Sequence, residues 1–166
     1  MHPGFWGWDK AVMPAVHEHF EGILTPCDLY AALMTLYSAD TCAPRMRSEW
    51  PRKHPTYGQC SITAFLVQDI FGGKVLGVPL GDGNFHCFNQ IGKTVFDLTS
   101  EQFGSQVLDY ANCCEQLRDD HFRKVEKHAR YLLLRQKLMD AHPLFSMTVH
   151  DRPHPAAHLA QQTGHD

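Results

Sequence analysis

The chain reads as an α+β fold. Helical patterning fills most of the first 71 residues, strand-like segments are confined to Lys74–Thr99, and helical patterning returns beyond Gly104. Helices that bracket a compact group of strands, instead of alternating with them, predict a small antiparallel sheet with helices packed on it. The 166 residues, 43% hydrophobic and 20% charged, are enough for a single domain with a buried core. No internal repeat or boundary interrupts them. Residues 1–149 are therefore expected to form one domain and 150–166 a flexible His/Pro-rich tail.

Residues 9–22 read as a first helix, with Val12, Val16 and Phe20 at four-residue intervals. Thr25-Pro26-Cys27-Asp28 is a start signal for a second: a hydroxyl for the N-cap, proline at the first helical position, and a carboxylate in the first turn to meet the dipole. Leu29, Ala32, Leu33 and Leu36 give it a buried face to about Tyr37. Residues 38–56, with Pro44, Pro51 and Pro55, read as a long connection of the kind that often carries function. The next helix begins near Cys60, buries a stripe of Ile62, Phe65, Leu66 and Ile70, and stops at Gly72-Gly73.

The period then changes. Lys74–Leu80, Phe85–Ile91 and Thr94–Thr99 read as strands, with Gly81-Asp82-Gly83-Asn84 as one turn and Gly92-Lys93 as a two-residue hairpin loop. A short helix is expected around Val107, Leu108 and Ala111, and a longer one from about Glu115 or Asp120 to Asp140. Arg123, Lys127, Arg130 and Lys137 fall on one side of that helix and read as a solvated face.

Charge and cysteine usage narrow the functional classes. A formal net charge of −3 gives no reason to expect nucleic acid or an anionic membrane as a partner. No apolar run approaches the roughly 20 residues of a membrane span. Six cysteines could pair. However, a chain of this size needs no staples, Cys113 and Cys114 are vicinal, and residues 1–8 lack the basic and apolar regions of a secretory signal. The expectation is a cytoplasmic protein with reduced thiols, Cys113 and Cys114 serving as small buried residues.

The chemistry concentrates in three residues. Cys60 is expected in the first turn of its helix, where unpaired N–H groups and the positive dipole end favour a thiolate. If Gly92-Lys93 is the hairpin loop, Ile91 faces Thr94, and His86 and Asp97 become diagonal neighbours on one face, roughly 7 Å apart at Cβ. A three-residue loop would send them to opposite faces. Thiol, imidazole and carboxylate are then placed as nucleophile, base and orienting group. The Cys60 N–H, with Gln59, could serve a developing oxyanion, and Trp50 could roof the site. Zinc at His86-Cys87 is disfavoured, because strand alternation sends the two side chains apart and no Cys-x-x-Cys pair exists. His17 and His19 cannot share a metal on one helix face. His150, His154 and His158 have helical spacing in a stretch that Pro153 and Pro155 break. No metal or cofactor is expected.

Tyr57-Gly58-Gln59-Cys60 resembles the Gly-Gln-Cys signature of transglutaminase-like proteins, within the wider papain-like cysteine peptidases. His86-Cys87-Phe88-Asn89 resembles that group's histidine segment, and Phe96-Asp97-Leu98-Thr99 its aspartate strand. More closely, residues 57–103 resemble the YunG-like family of small bacterial proteins, through the Gly-Gln-Cys start, the Phe-Gly-Gly-Lys helix end and the Asp-Leu-Thr-x-Glu-Gln-Phe ending. The resemblance implies a papain/transglutaminase-like fold and a Cys60-His86-Asp97 triad. Transglutaminases follow Gly-Gln-Cys with Trp where this chain has Ser61, and no carboxylate cluster suggests a calcium site. Hydrolysis or deamidation is therefore implied over cross-linking.

The expected function is a cysteine-dependent hydrolase of peptidase, amidase or deamidase type. Its substrate, small molecule or protein, would carry an amide, isopeptide or thioester. The alternative is a non-catalytic ligand-binding or regulatory protein that keeps the fold.

Overall fold

The structure, a computed structural model, describes residues 4–146; the expected tail at 150–166 lies outside them. Four helices and four strands follow in the order α1 (Pro26–Leu36), α2 (Cys60–Phe71), β1 (Lys74–Pro79), β2 (Phe85–Ile91), β3 (Thr94–Phe96), β4 (Cys114–Glu115), α3 (Arg118–Phe122) and α4 (Val125–Ala141). A 3₁₀ turn at Pro44–Glu49 and another at Ser100–Phe103 interrupt the connections. The sheet is antiparallel, in the order β3-β2-β1-β4. The α+β expectation holds at this level.

The local signals act as expected in α1 and α2. Asp28 Oδ2 accepts from the Leu24 and Thr25 N–H groups and from the Thr25 hydroxyl, which closes the start of α1. Gly72 and Gly73, at φ +78° and +74°, end α2 in a conformation that side chains with a Cβ resist. The hairpin turns at Gly92-Lys93 with Ile91 opposite Thr94, Gln90 opposite Val95 and Asn89 opposite Phe96.

α2 is the centre of the main core. Ile62, Phe65, Leu66 and Ile70 are fully buried, packed with Leu29 and Leu33 of α1, Leu134 and Leu138 of α4, and Val75 and Cys87 of the sheet. Side chains of this size stabilise by roughly 1.5–3 kcal/mol each when fully buried. Asn89 Nδ2 donates to the Ala64 carbonyl at 2.9 Å, tying β2 to α2. A second, smaller cluster of Leu76, Val78 and Phe88 is covered by Leu108 and Tyr110.

Four expectations are corrected. Residues 9–22 form no helix. Pro14 opposes one, Val12 and Val16 are exposed, and the segment instead lies across the end of α2. There the N–H groups of Val16 and His17 donate to Ile70 O at 3.0 and 3.1 Å, and that of Glu18 to Asp69 O at 3.3 Å. These tertiary bonds satisfy carbonyls that a helix end leaves orphaned. The segment 105–113 is not helical either; Asn112 has φ +56°, Asp109 Oδ1 caps the Ala111 N–H, and Val107 is exposed. The long C-terminal helix is broken at Arg123-Lys124, because Phe122 folds back onto Phe65 and Tyr131. Finally, Cys113 is half-buried and Cys114 exposed, since Cys114 lies in β4 opposite Gly77.

Gly58 leads the chain into α2 at φ +73°, and a Cβ there would sit 2.5 Å from Cys42 Sγ. Gly58→Ala is expected to destabilise the fold by about 1–3 kcal/mol. Urea unfolding checks this, with the midpoint falling while the denaturant slope is unchanged.

Candidate active site

Cys60 is the first residue of α2 and half-buried. The turn before it fixes its direction: the Gly58 carbonyl accepts from Ala43 N–H at 2.9 Å and Gln59 N–H donates to Thr56 O at 3.1 Å. The Cys60 N–H, by contrast, begins the helix and has no partner within it. His86 is the second residue of β2, and Asp97 follows the last residue of β3. His86 Nε2 and Asp97 Oδ2 are 2.6 Å apart, each side chain 1% exposed. The two-residue hairpin thus brings imidazole and carboxylate to one face, as the register argument requires.

Asp97 is held from three directions. Oδ2 also accepts from the Tyr110 hydroxyl at 2.8 Å, and Oδ1 accepts from the Thr99 N–H and hydroxyl at 3.0 and 3.1 Å. Asp97 N–H donates to Trp6 O at 3.0 Å, in an antiparallel bridge beside β3. Trp6 N–H in turn donates to Ser100 Oγ at 2.7 Å. The Trp6 indole stacks on Tyr110, centroids 4.0 Å apart, and the Phe103 and His86 rings meet perpendicular to one another, centroids 4.7 Å apart. Four contacts to its two oxygens fix the orientation of this carboxyl group.

With Nε2 engaged by Asp97, Nδ1 is the ring nitrogen left for the Cys60 thiol, which His86 also hydrogen-bonds. Burial opposes a charged His86, but the Asp97 charge and hydrogen bond and then Cys60 outweigh it, and the imidazole is pushed up to about 10. Hydrogen bonding from Cys87, against the cost of burial, together with His86 holds Cys60 well below the ordinary thiol range. Cys87, donating its thiol to Cys60, is pushed up in response. The site sets a thiol whose pKa is lowered against an imidazole whose pKa is raised, with the Asp97 carboxyl behind it, and lines a cleft of about 1050 Å³.

Gln59 and Trp50 do not join it. The Gln59 side chain is fully buried and its Nε2 donates to Ser38 O at 3.2 Å, since the N-cap position points it inward. The Trp50 indole packs against the core and donates to Pro55 O at 2.9 Å. Of the basic residues expected on a solvated face, Arg123 is exposed, but the three on α4 are drawn into contacts. Arg130 is 6% exposed, bonded to Glu126 and to Thr41 O. Lys137 reaches Leu36 O and Ser38 Oγ, and Lys127 reaches His121. Among the described residues no three His, Cys, Asp or Glu side chains are grouped as a metal requires.

Tyr110, Cys87 and the His121–Lys127 pair are the site neighbours that the sequence did not reveal. Tyr110 lies in a segment whose spacing imitates a helix that the structure does not form. Cys87 was expected to point away from His86, yet the helix start sits where both reach it.

The chain matches the family model described as YunG protein over residues 25–142. It belongs to the YunG family. The match runs from the N-cap of α1 to just past α4 and includes Cys60, His86, Asp97 and Tyr110, while Trp6 lies outside it. The "Uncharacterized protein YunG" of Bacillus subtilis (strain 168) is 40% identical over 60 residues, which is 36% of this chain and 51% of that protein. The chain thus spans about half the length of this curated YunG relative. No solved structure matches it. No helix among the described residues is long and apolar enough to cross a membrane.

A thiol with a depressed pKa keeps its thiolate as pH falls. Alkylation of Cys60 by iodoacetamide, followed by peptide mass spectrometry, is expected to stay nearly flat from about pH 9 to 7. A free model thiol of pKa about 8.5 slows by about tenfold per unit well below that value.

Proposed function

We propose that this YunG-family protein is a cysteine-dependent acyl hydrolase acting on an amide, isopeptide or thioester. The observation that carries the proposal is the 2.6 Å His86–Asp97 contact beside a thiol at a helix N-terminus that is itself open to a cleft. Cys60 Sγ attacks the carbonyl carbon, forming a C–S bond and an oxyanion. The Cys60 N–H is the donor placed for that oxyanion. Gln59 has no part in it. The tetrahedral species collapses with cleavage of the bond to the leaving amine or thiol, which takes its proton from the His86 imidazolium. Water then attacks the thioester, His86 accepts the water proton, and the acid departs with free Cys60 restored.

Asp97 holds the ring with Nε2–H toward itself and Nδ1 toward sulfur, and it compensates the ring's positive charge. The order of nucleophile on a helix start, base on one strand and carboxylate after the next supports a papain/transglutaminase-like assignment. Water is the proposed acceptor, since the chain has Ser61 where cross-linking enzymes carry Trp. The site needs no cofactor for these steps, and a cytoplasmic setting suits a reduced nucleophile.

Incubation with a panel of aryl thioesters, esters and amides tests the reading. An acyl adduct on Cys60 and steady turnover are expected. Cys60→Ala should abolish both, and Asp97→Asn should lower kcat by roughly 10⁴-fold, the scale seen when the orienting carboxylate of a triad is neutralised. Turnover that survives Cys60→Ala, or no adduct from any probe, would count against it and favour a binding role.

A further inference from the structure

The cleft wall contributed by α3 and α4 carries an excess of unneutralised cations. Three carboxylates line the cleft, and each is tied to a cation: Glu115 to Lys74 at 3.4 Å, Asp120 to Arg123 at 2.9 Å, and Glu126 to Arg130 at 2.8 Å. Lys53, also on the cleft, is paired with Glu49 at 3.3 Å. Arg45, Lys124 and Lys127 line the same space, and among the described residues none has a carboxylate partner.

Lys127 is the distinctive one. It is half-buried, and its Nζ meets His121 Nδ1 at 3.0 Å, while His121 Nε2 meets Gln116 Oε1 at 3.0 Å. The glutamine oxygen only accepts, so Nε2 carries the ring proton and Nδ1 is the bare acceptor for the ammonium. Burial, then Lys127, pushes His121 down to about 4, which keeps that ring neutral. The ring therefore positions Lys127 without neutralising it. Burial pushes the Lys127 ammonium down from its ordinary range, the Cys60 side of the cleft offsets part of that, and Lys124 and Arg130 repel it. Two of its three donors remain for a ligand. Its burial costs free energy that a bound anion would offset.

We infer that the cleft takes an acyl substrate bearing a carboxylate, which docks on the Lys127 ammonium across the cleft that Cys60 lines. This rests on Cys60 being the nucleophile. One half-buried ammonium on a neutral imidazole matches one negative charge; a phosphate dianion is better met by a forked guanidinium beside it, and on this wall Arg130 is already bonded to Glu126 and Thr41 O. Lys127 holds the substrate, and His121 and Gln116 hold Lys127.

Iodoacetate and iodoacetamide, which differ in that one charge, provide the test. The ratio of their second-order rates at Cys60, read by peptide mass spectrometry, cancels changes in thiolate fraction. Lys127→Gln should lower the ratio by about tenfold, the size of one charge-assisted hydrogen bond in a partly desolvated site. Lys127→Arg should retain most of it. In the unaltered protein, acetate should slow iodoacetamide alkylation of Cys60 where acetamide at equal concentration does not. A ratio unmoved by Lys127→Gln, equal protection by acetate and acetamide, or protection by inorganic phosphate but not acetate would overturn the carboxylate assignment. An inert Cys60, reacting no faster with iodoacetamide than a free thiol, would instead overturn the nucleophile itself.

Discussion

The buried hydrogen bond between His86 and Asp97 is the contact on which the other parts of this molecule converge. Both side chains are closed to solvent, so each charge depends on the other and on the groups around them. Stranding one member of such a pair costs about 3–5 kcal/mol. The hairpin supplies the register, the Trp6 strap holds the Asp97 backbone, the 105–113 segment brings the Tyr110 hydroxyl, and Phe103 packs perpendicular to the imidazole. Regions far apart in sequence meet at one carboxylate. The Cys60 thiol is held low by the Cys87 hydrogen bond and then by His86, against burial, and His86 is held high by Asp97 against its own burial.

What could be read from the sequence was set by local chemistry. Thr25-Pro26 and Asp28 mark the start of α1, Gly72-Gly73 the end of α2, and Gly92-Lys93 the hairpin, because capping and turn preferences act within a few residues. From the hairpin alone follows the facing of His86 and Asp97, since a period of two leaves no freedom once the loop length is known. Residues 9–22 show the opposite case. Their spacing of Val12, Val16 and Phe20 imitates a helix, but the N–H groups of Val16, His17 and Glu18 find better acceptors at the end of α2. Arg130 and Lys137 look like solvated charges in sequence. They are drawn inward by carbonyls of the Leu36–Thr41 connection, whose position no local signal encodes.

Glycine and cysteine have different roles at the entrance to α2. Gly58 permits the left-handed turn against Cys42, and the turn aims Cys60 at the cleft while burying Gln59. The Gly-Gln-Cys motif is therefore read structurally as turn, anchor and thiol. On the opposite wall the cations are arranged by their pairing. Arg130 is spent on Glu126 and Thr41, whereas Lys127 rests on a neutral ring and stays available.

The central claim is that Cys60 and His86 form a charged pair at neutral pH. Nitrogen NMR of His86 in the unaltered protein, with Cys60→Ala as reference and the thiolate ultraviolet band followed in parallel, tests it most directly. The account predicts two protonated ring nitrogens on His86 at neutral pH, together with a thiolate band that Cys60→Ala removes. A His86 ring with one bare nitrogen, and no band lost on replacing Cys60, would contradict it.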